Sequence, residues 1–171
     1  MNCFPSTSIS PQVANSFLHL GHFMSASYHK TENRAQTGFR ALTIDAYWAW
    51  AIIHGGKCIE NRTWRTNYRG ELWIHAGRTT RRDDDAIAWL KQHAPEALPD
   101  SDAIDSIRGT VCGRCRLVDC FDIQDAPTSK WAAGPVCWLL GSIEPVTPPV
   151  PLLGRQGLWT LPDDASRRLA R

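Results

Sequence analysis

Apolar and polar positions along this chain follow two periods, and the period changes several times between residues 39 and 161. Arg40–Ile44 has the length and composition of a short strand. After Asp45, a good N-cap residue, Tyr47, Trp48, Ala49, Ala51, Ile52 and Ile53 recur at helical spacing and predict a helix. Gly55-Gly56 ends it, because glycine takes the left-handed conformation without a Cβ penalty. Cys58–Trp64 predicts a strand and Arg65–Gly70 a turn. Glu71–Ala76, with Leu72 and Ile74 alternating against Trp73 and His75, predicts the next strand. A second helix is expected from Asp83, where three aspartates meet the positive end of the helix dipole. Ile87, Leu90 and Ala94 form its apolar stripe, and Pro95 stops it.

Residues 95–106 read as an acidic loop, Thr110–Phe121 as a long strand, Gly134–Leu140 as another, and Trp159–Leu161 as a closing one. Pro145, Pro148, Pro149 and Pro151 mark an extended connection rather than the inside of an element. Five or more short strands with two helices predict an α+β domain, a compact β-barrel with two helices on its rim. Residues 1–39 are different. They are rich in Ser, Thr, Asn, His and Gln, and Phe17, Leu18, Leu20 and Phe23 form a single short apolar cluster. So little apolar surface does not offset chain entropy. The expected organisation is a mobile extension over 1–39, the domain over 40–162 and a C-terminal tail over 163–171.

Composition narrows the function classes. The chain is 43% hydrophobic and 21% charged, as in a globular protein, and its net charge of +2 gives no strongly basic global field. A case for nucleic acid must therefore be local. No apolar run approaches the roughly 18 residues that span a bilayer, and no basic-then-apolar leader precedes the domain. A cytoplasmic location without membrane association is expected. The six cysteines then read as reduced thiols, most of them small buried hydrophobes. Cys112-x-x-Cys115 lacks a second ligand pair at finger spacing, and in a regular strand the two thiols would face opposite sides. Neither a metal nor a cofactor is expected, as P-loop, dinucleotide and nucleophile-elbow motifs are missing from the sequence.

The informative stretch is Lys57–Arg69. Lys57, Arg62, Arg65 and Arg69 stand against one acid, Glu60, with Trp64 and Tyr68 interleaved. Cations that hold phosphates beside flat rings that stack bases suit single-stranded nucleic acid. The same pattern also describes a solvated, salt-bridged hairpin. Glu60 and Arg62 face one side of a regular strand, whereas the direction of Lys57, just past a helix cap, is not set by spacing.

The segment LTIDAYWAWAIIHGGKCIENRTWRTNYRGELWIHAGR resembles the opening of an ASCH domain. The family's G-x-K-x-x-E-x-R signature stands here as Gly55, Lys57, Glu60 and Arg62, followed by Trp64, Asn67, Tyr68, Arg69, Gly70 and the strand Ile74-His75-Ala76. Gly134–Trp138 and Gly154–Trp159 are similar to its later segments, so the resemblance covers about residues 40–162. It implies a PUA-like β-barrel, related to modules that read RNA or modified bases, with a pocket lined by Lys57, Glu60 and Arg62. Trp48, Arg62, Trp64, Tyr68, Arg69, His75 and Trp138 are the expected contacts to single-stranded RNA or a modified nucleoside, and Lys57 and Glu60 the candidate catalytic pair. Some small relatives are amidohydrolases acting on N4-acetylcytidine. They share the lysine at Lys57 but carry Thr where this chain has Glu60, and a Gln-Pro pair common in relatives is replaced by Ala46-Tyr47. A metal-independent hydrolase, either an N4-acylcytidine amidohydrolase or a ribonuclease, is thus an alternative to a binding module. A protein-interaction adaptor is a third.

Overall fold

The computed structural model describes residues 38–170. The expected mobile extension over 1–39 lies almost wholly outside them. Six strands form one mixed sheet: β1 (Arg40–Ile44), β2 (Ile59–Arg62), β3 (Gly70–Ala76), β4 (Thr110–Asp122), β5 (Val136–Pro151) and β6 (Leu158–Thr160). Their spatial order is β2-β5-β4-β3-β1-β6. The sheet curls into a half-barrel, which bears out the α+β class. Four α-helices accompany it among the described residues: α1 (Ala46–Ile53), α2 (Asp83–His93), α3 (Ser101–Ile107) and α4 (Asp163–Leu169). None is long and apolar enough to cross a membrane.

The central strand β3 is buried on both faces. Leu72, Ile74 and Ala76 join Leu42, Ile52, Ile104, Ile107, Leu117, Trp138 and Leu140 in the main core. Trp73 points the other way, into a second cluster with Ala41, Val111, Trp159 and Leu161. β1 runs parallel to β3, Leu42 beside Ile74 and Thr43 beside His75, so their carboxyl ends open on the same side.

Several expectations change. Residues 95–106 hold a short 3-10 turn and α3 rather than only a loop. Asp100 caps α3 by accepting from the Ala103 N–H at 2.8 Å, and Ile104 and Ile107 are buried under it. β5 continues through the prolines to Pro151 and pairs with β4 as far as Thr110. A proline cannot donate to the ladder, and the register shifts between Val111 and Gly113 and again between Arg114 and Arg116. Those irregularities also place Cys112, Cys115 and Cys120 in the same core, not on opposite faces. Burial pushes the Cys112 and Cys115 thiols up to about 12. These three and Cys137 are free and buried. Finally, the segment expected as a tail carries α4, whose Leu169 packs against the second cluster.

Candidate functional site

The end of α1 sets the site in place. Gly56 has φ +69°, a conformation in which a side chain is strained, and the chain turns so that the Lys57 N–H bonds back to the Ala51 carbonyl at 2.9 Å. Gly55 has no room for a side chain, since a Cβ would lie 2.4 Å from that of Ala97. The cap thus sends Lys57 inward, where it is 3% exposed. Its ammonium donates to the Ile59 carbonyl at 2.5 Å and to Glu60 Oε2 at 2.6 Å, leaving one donor for another partner. Glu60, 6% exposed, has Arg62 Nη1 3.6 Å from Oε1. Two cations therefore bracket one buried carboxylate, as a buried charge requires.

Aromatic rings flank this triad. The Lys57 ammonium is 5.9 Å from the centre of the Trp48 ring, and the Arg62 guanidinium 5.8 Å from that of Trp64. Both rings are half-buried and line a cleft of about 930 Å³ together with Lys57, Glu60 and Arg62. Trp48 meets Trp89 edge to face at 5.4 Å, and Trp89 meets Trp131 at 5.3 Å, so one wall is built of three indoles. The loop carrying Trp131 is clasped by Asn61, which donates to the Trp131 carbonyl at 2.9 Å and accepts from the N–H groups of Ala133 and Gly134 at 3.0 Å. The cleft opens at the carboxyl ends of β1 and β3, where Thr43, Asp45, Arg78, Arg82 and Arg155 complete it.

Of the residues expected from the sequence, Trp48, Lys57, Glu60, Arg62, Trp64 and His75 line this cleft. Tyr68, Arg69 and Trp138 do not. Trp138 is wholly buried, its indole N–H donating to the Trp64 carbonyl at 3.3 Å beneath an edge-to-face contact with Trp64. Arg69 pairs with Asp119 at 2.7 Å, and the Tyr68 hydroxyl donates to the Glu71 carbonyl. Arg65 likewise turns away, to Asp122. The basic stretch is thus divided, half in the cleft and half in the solvated, paired hairpin.

His75 is 1% exposed. Its Nε2 lies 3.0 Å from the Leu152 carbonyl, so that nitrogen carries the proton, and Nδ1 has no partner. A Cβ on Gly154 would sit 2.8 Å from Nδ1, which shows how closely the 152–157 loop covers the ring. Burial holds the imidazole pKa below its ordinary value, helped by Arg78 and opposed by the bond to Leu152.

Asp45 was expected as a cap, but its side chain makes no capping bond and pairs with Arg82 at 2.9 Å in the cleft. The sequence also gave no reason to single out Trp89, Trp131, Arg78 or Arg155. They lie on four separate segments, and only the fold brings them together. Among the described residues, no group of three or more His, Cys, Asp or Glu side chains is placed to hold a metal.

A family model of the ASCH domain matches residues 42–146. Solved structures of the ASCH protein from Zymomonas mobilis, in its parent form and in two single-residue variants, align over 78% of this chain and 94–96% of theirs. They are 16% identical to it, with TM-scores of 0.46–0.47. No curated protein matches the chain by sequence.

Proposed function

This chain belongs to the ASCH domain family, and from that premise we propose that its cleft binds an unstacked base, presented by single-stranded RNA or by a modified nucleoside. The observation that carries the reading is the Lys57–Glu60–Arg62 triad set between Trp48 and Trp64 in one cleft. Indole faces supply sequence-tolerant stacking worth about 1–3 kcal/mol per base. Glu60 Oε1, from which the Arg62 guanidinium stands 3.6 Å, retains acceptor capacity for an exocyclic amino group. The free Lys57 donor and the Arg62 guanidinium address carbonyl oxygens of the same ring.

Glu60 Oε1 is also able to accept from a water molecule while Lys57 holds Oε2, so hydrolysis by the same residues is the alternative that the test separates. The test is a titration of folded protein with single-stranded RNA and with ribonucleosides at low salt. Arg62→Ala and Trp64→Ala should each weaken binding about tenfold. Absence of binding by the folded wild-type protein refutes the reading. Turnover of N4-acetylcytidine that disappears in Lys57→Ala would establish hydrolysis instead.

A further inference from the structure

The triad comes from β2 and the turn before it, at one end of the strand order. The other end of the order, where β3, β1 and β6 meet, contributes a different set to the cleft: Arg78 from the loop after β3 and Arg155 from the loop before β6. Both are exposed, and neither guanidinium has a hydrogen bond or ion pair among the described residues. Arg65, Arg69 and Arg114 are exposed but pair with carboxylates, and Arg81, Arg116 and Arg167 are exposed and unpaired but lie outside the cleft, so being both unpaired and in the cleft sets Arg78 and Arg155 apart. Arg82 joins them on the rim, already paired with Asp45.

Both unpaired side chains start from fixed backbone. The Arg155 N–H donates to Thr43 Oγ1 at 3.2 Å, and Leu152 of the same loop accepts from His75. The stem of Arg78 lies along Gly109, where an added Cβ would stand 2.9 Å from Cγ and 2.4 Å from Nε. Gly109 in turn bonds Ala76 and Leu152 through its N–H and carbonyl, which joins the two loops. With Lys57, Arg62, Arg78, Arg82 and Arg155 against Asp45 and Glu60, the cleft holds an excess of three positive charges. Two unpaired guanidiniums that line one cleft are both available to an anion, and an anion with several oxygens takes forked hydrogen bonds from such groups.

We propose that Arg78 and Arg155 form a phosphate subsite, so that the cleft takes a phosphorylated nucleoside in preference to a bare one. The proposal rests on the base-binding reading above and adds the second half of the ligand. The phosphate belongs either to a free nucleoside 5′-phosphate or to the backbone of an RNA strand, which offer the same oxygens to the same arginines. A cleft of about 930 Å³ has room for a base, a sugar and a phosphate.

The four ribonucleosides, their 5′-monophosphates and matching ribotrinucleotides are titrated against the wild-type protein and against Arg78→Ala/Arg155→Ala, following tryptophan fluorescence. The phosphorylated ligand should bind at least tenfold more tightly than its nucleoside. The double variant should lose that advantage while its nucleoside affinity stays within twofold. Both side chains are exposed, so an unchanged thermal midpoint verifies folding. An advantage shown by trinucleotides alone identifies the phosphodiester as the source, and one shown also by monophosphates identifies the free nucleotide. Equal affinity for nucleoside and nucleotide overturns the subsite and leaves base binding standing. A loss in the double variant that is the same for both ligands also overturns it. Binding of none of these ligands overturns both readings together.

Discussion

At the scale of single residues, the site is governed by the cost of burying charge. Lys57 and Glu60 are almost completely buried, and each is the other's nearest counter-charge. Truncating one partner leaves the other uncompensated in a low-dielectric site, which typically costs about 3–5 kcal/mol. Arg62 still faces Glu60, so Lys57→Ala should fall at the lower end, at about 3 kcal/mol in urea denaturation. Replacing both residues by apolar ones of similar size should recover most of that loss. A single variant as stable as the wild type would show that the carboxylate does not depend on the lysine. His75 gives a second residue-scale expectation, in pH. Its folded-state pKa is depressed below 6.5 by burial, so the folded state prefers the neutral ring. The stability tied to that preference is fully present above pH 6.5 and is lost as pH falls through the lower folded value. Urea midpoints should therefore decline from pH 6.5 downward. His75→Gln, which keeps a donor for Leu152 and does not titrate, should decline less over the same window. Parallel curves for the two proteins would rule the imidazole out as the cause.

At the scale of elements, most of what positions the site was legible in the sequence, for reasons that can be named. β1, α1, β2 and β3 follow from hydrophobic period and from Gly55-Gly56, because local sterics decide those turns. Asp100, Ser101 and Asp102 make the α3 stretch look like a polar loop, although a capping aspartate stands before the buried Ile104 and Ile107. The sequence pattern ends β5 at Leu140 because prolines oppose a ladder in general, whereas register shifts along β4 accommodate them in this sheet. The direction of Lys57 is not derivable from spacing, since it depends on the bond from its N–H back to the Ala51 carbonyl. Asn61 shows an element-scale linkage that a sequence does not display. Its single amide holds three backbone groups of the 131–134 loop, and through them the Trp131 wall of the cleft. Asn61→Ala should cost about 2 kcal/mol, as several partly buried partners lose a hydrogen bond together. Hydrogen exchange at Ala133 and Gly134 should rise well beyond the global change. Exchange that follows only the global loss would mean that the loop is held by something else.

At the scale of the whole molecule, charge is concentrated in the cleft. The chain as a whole carries +2, and the cleft alone holds an excess of three, so the remainder of the protein has no net positive field. The basic-aromatic run Lys57–Arg69 suggested a continuous track for a strand of nucleic acid. The fold breaks that track, because Arg65 and Arg69 turn to Asp122 and Asp119; beyond the cleft Arg108, Arg114 and Lys130 are also paired with carboxylates, and Arg81, Arg116 and Arg167, which are not, lie on three separate segments. A sequence lists charges in order but not which of them meet, and for that reason the extent of the binding surface was not legible. A short footprint has a measurable consequence. For single-stranded nucleic acid, the logarithm of the binding constant falls with the logarithm of salt concentration with a slope of about −0.7 per neutralised phosphate. If only the cleft contacts phosphates, two or so are neutralised whatever the length of the strand. A trinucleotide and a dodecamer of the same sequence should then give salt slopes that agree within about 0.5, near −1.5. The dodecamer should gain only the severalfold affinity expected from its larger number of equivalent registers. A slope that grows steadily with length would require a cationic path outside the cleft, and the confined site inferred from the paired arginines would be wrong.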